Sequence, residues 1–250
     1  MKAIILAAGL GTRLRPLTDS CPKALLPVNG KPMLERWIEI LTATGVDKIA
    51  ITAYHHADMI HAFVNSIRSK VSTSLIVSDE RPLLLDTGGG IARALSLLDI
   101  SDKNELVVIV NADILTDFNI SALVDHMQSS LPDAILLVNP LRVTRRKLLF
   151  NCEDMRMVGW LDSASMETRS PFLDLKLDST ICEAAFAGIH AVRGKFIDTL
   201  ISYRQPLTPF NIINFYIEAC SNACIKGFIS LDRYSWVDIG KPEVYNSLTQ

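Results

Sequence analysis

The sequence predicts an α/β fold, a three-layer α/β/α sandwich around a mainly parallel sheet with a small annex, and three observations predict it. Short apolar runs alternate with segments of helical apolar spacing through the first half, a pattern that joins parallel strands by right-handed helical crossovers. One long glycine- and proline-rich stretch interrupts this alternation immediately after the first apolar run. Beyond about residue 140, strand-like runs are separated by polar turns, which gives the second half a more antiparallel character.

Taken in order, residues 4–8 read as a buried strand. Met33, Leu34, Trp37, Ile38 and Leu41 recur at helical spacing after Pro32, with Gly45 as the stop. Residues 48–53 form a second strand, and Met59, Ile60, Phe63, Val64 and Ile67 mark a second amphipathic helix. Leu75-Ile76-Val77 is a third strand, 91–98 a third helix and 106–110 a fourth strand. Farther on, 148–150, 157–160 and 184–192 read as strands, 211–223 as a helix, 228–231 as a strand and 242–248 as a closing helix. Between residues 9 and 31, Pro16, Pro22 and Pro27 leave room for neither helix nor strand. A structureless stretch of that length inside a compact domain usually carries function. No repeat, low-complexity tract or linker divides the 250 residues, so one domain is expected.

The formal net charge of −2 offers no bulk attraction for nucleic acid or an anionic membrane, so any anion must be bound locally. No apolar run approaches the roughly 18 residues of a membrane-crossing helix, and the amino-terminal run is too short for a leader. The five cysteines are odd in number and form no Cys-x-x-Cys pair. They read as reduced thiols of a cytoplasmic protein.

Four constellations carry chemistry. Leu6-Ala7-Ala8-Gly9-Leu10-Gly11-Thr12-Arg13 runs from a strand into a two-glycine loop, and Pro22-Lys23 follows ten residues later. Glycines let backbone N–H groups approach an anion, while Arg grips phosphate oxygens in pairs and Lys supplies a point charge. The third glycine of a dinucleotide fingerprint and the Gly-Lys-Ser/Thr of a P-loop are both missing. Asp86-Thr87-Gly88-Gly89-Gly90 precedes the third helix; either Asp86 and Thr87 cap that helix, or the glycines admit a planar group or a phosphate. Asn111-Ala112-Asp113 ends an apolar strand, where open parallel sheets bind ligands. Trp236-Val237-Asp238-Ile239-Gly240-Lys241-Pro242 sets a second acid among apolar residues, and two carboxylates in one place suit Mg²⁺ with substrate phosphates completing its shell.

These pieces together resemble the sugar-1-phosphate nucleotidyltransferases, or NDP-sugar pyrophosphorylases. The opening motif with Pro22-Lys23, Asn111-x-Asp113 and Trp236-x-Asp238-x-Gly240-x-Pro242 fall in that family's order over nearly the whole chain. The Asp86-Thr87-Gly88-Gly89-Gly90 version looks most like N-acetylmuramate 1-phosphate uridylyltransferases, with mannose and heptose 1-phosphate guanylyltransferases close behind. The resemblance implies a Rossmann-like sheet, with a nucleotide half at 1–139 and a sugar-phosphate half at 140–250. It implies a soluble, cytoplasmic enzyme, able to form a homodimer, that joins an NTP and a sugar 1-phosphate into an NDP-sugar and pyrophosphate. Backbone groups of Leu6, Ala7, Ala8, Gly9, Gly11 and Thr12 would hold base and ribose, with Asp86, Thr87, Gly88 and Gly89 closing over the base. Arg13 would hold the leaving phosphates, Lys23 the α-phosphate, and Asp113 and Asp238 the Mg²⁺. Asn111 with Phe186, Gly188 and Ile189 would bind the sugar.

Some positions stay open within the resemblance. Tyr54, His55 or His56 would either reach the base or start a helix. The Glu-Lys-Pro by which larger relatives hold the sugar and its phosphate is absent between 140 and 180; Arg142, Arg145, Arg146 and Lys147 lie in that vicinity, as a solvated loop or as a cationic flap. The rival activities are GTP-dependent mannose or heptose 1-phosphate transfer, cytidylyl transfer to an alcohol phosphate such as choline phosphate, and an inactive nucleotide-binding homologue.

Overall fold

The computed structural model describes residues 1–249 apart from Ser101 and Lys103. The apolar amino terminus becomes β1 (Lys2–Leu6), and a small hairpin of β2 (Pro27–Val28) and β3 (Lys31–Pro32) leads into α1 (Met33–Ala43). Then come β4 (Lys48–Ala53), α2 (Ala57–Ile67), β5 (Ser74–Asp79), α3 (Asp86–Ser96) and β6 (Leu106–Asn111). β1 lies parallel between β6 and β4, and β5 pairs in parallel with the outer side of β4. The alternation of strands and helices thus gives the parallel sheet it predicts.

The second half adds β7 (Ile114–Thr116), α4 (Ile120–Ser130), β8 (Ala134–Asn139), β9 (Arg146–Asn151), β10 (Met157–Asp162) and β11 (Glu167–Arg169). It closes with β12 (Ile181–Arg193), α5 (Lys195–Ser202), α6 (Ile212–Ala219), β13 (Ile225–Phe228), β14 (Trp236–Asp238) and α7 (Pro242–Thr249). β12 joins the two parts. Its residues 189–193 run antiparallel to β6, its residues 181–184 antiparallel to β9, and its residues 185–192 antiparallel to β8. The register with β8 shifts between Phe186 and His190, at Gly188, whose φ of 78° favours glycine. The antiparallel arm β9–β10–β11 therefore continues the central sheet through one bent strand.

Alternation along the strands builds a core on each face. Ala3 and Ile5 of β1, with Val108 and Val110 of β6, pack towards Trp37, Ile60 and Leu123 of α1, α2 and α4. Ile4, Val107 and Ile109 point the other way, to Ile91, Phe196 and Phe215 of α3, α5 and α6.

Several elements differ from expectation. The 9–31 segment holds three short 3-10 turns, Thr12–Leu14, Leu17–Asp19 and Lys23–Leu25, besides the hairpin. α3 begins at Asp86, so all three glycines lie inside its first turns instead of ahead of it. The strand expected at 228–231 is centred three residues earlier. α4, α5, β7 and β8 were not anticipated; β8 is a five-residue apolar run lacking the flanking signals that mark a strand. The reduced-thiol reading changes as well. Cys152 and Cys182 are bonded across the β9–β12 pair, while Cys21, Cys220 and Cys224 are free. Among the described residues no helix is long and apolar enough to cross a membrane.

Candidate active site

The carboxyl ends of β1, β4, β5 and β6 open into a cavity of about 220 Å³. Its wall carries Leu6, Ala7, Ala8 and Gly9 after β1, Asp86 and Thr87 at the start of α3, and Lys23, Asn111 and Asp113. An open sheet binds ligands at this end of its parallel strands.

One corner of the cavity gathers the charges. Asp113 lies between β6 and β7, and the antiparallel pairing of β7 with β14 sets Asp238 opposite Ile114. The Ile239 N–H donates to the Asp113 carbonyl at 3.0 Å and locks the two acids side by side. The Lys23 ammonium donates to Asp113 Oδ2 and lies 3.6 Å from Asp238 Oδ1. The Arg13 guanidinium is 3.6 Å from Asp238 Oδ2. A side chain at Gly240 would overlap both the Lys23 ammonium and the Arg13 guanidinium. Arg13, Lys23, Asp113 and Asp238, spread over 226 positions of sequence, thus meet within one cluster.

The backbone donors divide unequally. Ala7 and Ala8 give their N–H groups to Thr52 Oγ1 at 3.0 and 3.2 Å, so these two amides are engaged within the protein. The N–H groups of residues 9–12 find no protein acceptor among the described residues. Gly11 holds φ at 64°, and a Cβ there would come within 2.7 Å of Thr18 Cγ2. In the second glycine segment the donors are taken: Gly88 and Gly89 donate to the Phe210 carbonyl at 2.8 and 3.2 Å. A Cβ at Gly88 would overlap the Phe210 ring, one at Gly89 would lie 2.8 Å from the Thr208 carbonyl, and one at Gly90 2.6 Å from Glu80 Oε1. The Gly88 and Gly89 amides expected to close over a base instead let the chain's own 208–210 segment approach α3. Asp86 and Thr87 remain on the cavity wall, and Thr87 Oγ1 accepts the Ile212 N–H at 3.0 Å.

The remaining expected residues scatter. Asn111 lies against Gly188, where a Cβ would be 2.8 Å from Asn111 Nδ2. Phe186 stacks on buried His190 at a 5.3 Å centroid distance. Ile189 is wholly buried in the core on the sheet face covered by α1, α2 and α4, so its side chain cannot touch a sugar. His55 and His56 donate from Nε2 to the Thr18 and Asp19 carbonyls at 2.8 and 3.1 Å, tethering the amino-terminal loop to the start of α2. Of the basic run, Arg145 pairs with Asp162 and Lys147 with Glu183 across strands, whereas Arg142 turns inward.

Sequence reasoning missed Thr52 and Glu80. Glu80, at the end of β5, lines the cavity almost fully buried and accepts the Leu85 N–H at 2.8 Å. Burial pushes its carboxyl up to about 7. The available signal was an acid directly after an apolar strand.

Residues 2–147 match the Nucleotidyl transferase family. The N-acetylmuramate alpha-1-phosphate uridylyltransferase of Caulobacter vibrioides is 38% identical over 243 residues, covering 96% of this chain and 92% of that protein. The mannose-1-phosphate guanylyltransferase of Mycobacterium tuberculosis is 27% identical over 96% of this chain and 61% of its own length. The crystal structure of HddC from Yersinia pseudotuberculosis complexed with GMP-PN superposes with a TM-score of 0.73 at 20% identity, covering 99% of this chain and 97% of that one. The fold is that of a nucleotidyltransferase. The chain belongs to the Nucleotidyl transferase family, among its sugar-1-phosphate enzymes.

Proposed function

We propose that this enzyme transfers a uridylyl group from UTP to an N-acetylated hexose 1-phosphate of the N-acetylmuramate type, releasing pyrophosphate. The observation that carries the chemistry is the Lys23 ammonium held against both Asp113 and Asp238 beside the unengaged amides of residues 9–12. The choice of substrates rests on the Caulobacter relative, which aligns over nearly the whole of both chains.

In this reading a phosphate oxygen of the sugar 1-phosphate attacks the α-phosphorus of the NTP. The bond from that phosphorus to the α,β-bridging oxygen breaks, and no protein nucleophile is needed. The chain's part is positioning and charge neutralisation. The amides of residues 9–12 and Arg13 hold the phosphates that leave, Lys23 draws charge from the α-phosphate, and Asp86 and Thr87 border the base. Asn111, with Phe186 and Gly188, borders the sugar.

The acid pair fits Mg²⁺. Asp113 and Asp238 present hard oxygen donors to one point, and a cationic group, the Lys23 ammonium, already lies there. Among the described residues no His, Cys or further acid joins them in a set of three, so substrate phosphates would supply the other ligands. Bound there, Mg²⁺ would neutralise charge on the phosphates.

The test is a panel of the four common NTPs plus dTTP against N-acetylmuramate, N-acetylglucosamine, glucose, mannose and heptose 1-phosphates and choline phosphate, with Mg²⁺, reading released pyrophosphate. Activity restricted to UTP with an N-acetylated sugar is the expected result. Turnover of GTP with mannose or heptose 1-phosphate, or of CTP with choline phosphate, overturns the substrate assignment. Silence with every pair overturns the catalytic one.

A further inference from the structure

Resting on that sugar-phosphate reading, we infer that Arg142 receives the anionic 1-phosphate of the second substrate. Four cations cluster between residues 142 and 147, and the structure separates them. Arg145 Nε donates to both Asp162 oxygens, at 2.5 and 2.7 Å, and Lys147 to Glu183 at 2.7 Å. Arg146 is exposed at the start of β9. Arg142 alone points into the protein, its guanidinium carbon 4.0 Å from the centroid of Trp236, two residues before Asp238.

This placement is poorly explained by folding. Arg142 Nη2 donates to the Phe186 carbonyl, but Nε is buried with no partner, and no carboxylate lies within ion-pair distance among the described residues. Burial lowers its pKa, with Tyr234 and then Asp238 acting in the opposite sense. Its neighbours Leu141 and Val143 are 89% and 99% exposed, so apolar burial does not anchor this loop. An inward Leu would hold it without taking a cation from water. A guanidinium kept inside by an aromatic face, with a donor unmet, is suited to an anion that arrives with the ligand.

The surroundings give it direction. Trp236 Nε1 donates to the Ala187 carbonyl at 2.8 Å, so Arg142 and Trp236 together hold the 186–188 bulge of β12. That bulge lies against Asn111, two residues before Asp113. A planar fork of donors takes two phosphate oxygens in parallel bonds of fixed geometry, where a lysine offers a point charge.

The experiment reads binding without turnover. Wild type, Arg142→Lys and Arg142→Met are titrated calorimetrically with N-acetylmuramate 1-phosphate, N-acetylglucosamine 1-phosphate and unphosphorylated N-acetylmuramate. Titrations run in the presence of a non-hydrolysable UTP analogue, whose own affinity is measured separately. Both 1-phosphates should bind about 10- to 100-fold more weakly to Arg142→Met, with most of that loss also in Arg142→Lys, while analogue affinity changes less than about twofold. A loss confined to the two muramates would assign the contact to their lactyl carboxylate and overturn the 1-phosphate assignment. Unchanged 1-phosphate affinity, equal losses for sugar phosphate and nucleotide analogue, or a wild type that binds neither 1-phosphate would overturn it too. If binding depends on Arg142 but no NDP-sugar forms from any pair, the catalytic reading fails and this one stands.

Discussion

Two glycine-rich turns border the same cavity and use glycine for opposite reasons. Around Gly9 and Gly11 the amides of residues 9–12 have no protein acceptor among the described residues, and a Cβ at Gly9 would meet nothing within 4 Å. Around Gly88 and Gly89 the amides are bonded to Phe210, and any Cβ would collide with the 208–210 segment. The first turn keeps its donors open, and at Gly9 its space, beside the cavity; the second uses both to pack one part of the chain against another. Damage to the first should therefore appear in ligand binding and turnover, and damage to the second in stability.

The widest gap between the two regions is expected at the charges beside the first. Lys23→Ala or Asp113→Ala should lower kcat at least ~100-fold, the scale for removing one preorganised electrostatic contact. Melting temperature should change little, because these groups lie at the cavity rim and not in the core. Near-normal turnover in both folded variants would remove the cluster from the chemistry.

Next comes a matched pair of glycine substitutions. Gly88→Ala forces the Phe210 ring to move and should cost about 1–3 kcal/mol of stability, the usual range for overpacking. Gly9→Ala should leave the melting temperature unchanged and raise KM for the NTP, since a methyl group would stand where a phosphate approaches. A stable Gly88→Ala with weakened nucleotide binding would reverse the assignment of the two turns.

That pair also marks what the sequence reveals. The sheet was legible because Ile4, Ile5, Ile49, Ile51, Val108 and Val110 are apolar and fully buried in strands separated by helices, which local pattern records. Lys23 with Asp113 and Asp238 was legible because charged residues between apolar ones have no packing reason to be there. The role of Gly88 was not, because its partner Phe210 lies over 120 residues away and neither glycine run states what will approach it. Ile189 failed for a related reason: strand pairing with β6 decides which face it takes, and it takes the core. Arg145 and Lys147 were ambiguous until the pairing of β9 with β10 and β12 brought Asp162, opposite the neighbouring Arg146, and Glu183, opposite Leu149, within ion-pair reach of them.

Glu80 ties the second turn to pH. Its carboxyl is raised from 4.5 to about 7 chiefly by burial, while the bond from the Leu85 N–H works the other way. Between those values the folded state holds a proton that the unfolded chain has released, so folding stability falls as pH rises from about 4.5 to about 7 and levels off above. The slope contributed is at most ~1.4 kcal/mol per pH unit. Glu80→Gln, which stays uncharged against Gly90, should remove this decline from a plot of melting temperature against pH. Parallel curves for wild type and variant would show that the fold is indifferent to this proton.

The smallest effect should come from the tether of the first turn. His55 Nε2 donates to the Thr18 carbonyl at 2.8 Å, and Thr18 Oγ1 donates in turn to the Gly11 carbonyl at 2.9 Å. A loop held by such polar contacts is positioned more than stabilised, because little apolar surface fixes residues 9–13, none of which is buried. One net hydrogen bond is worth about 0.5–1.5 kcal/mol, so His55→Ala should raise KM for the NTP by roughly 2- to 12-fold. His56, on the Asp19 carbonyl, keeps a second tether in place and argues for the lower end. The kcat should hardly change, since Lys23 is carried by a separate turn packed through Ala24 in the core. If His55→Ala lowered kcat as far as it raised KM, the loop and Lys23 would move as one body, and the amides of residues 9–12 would belong to the transition state and not only to binding.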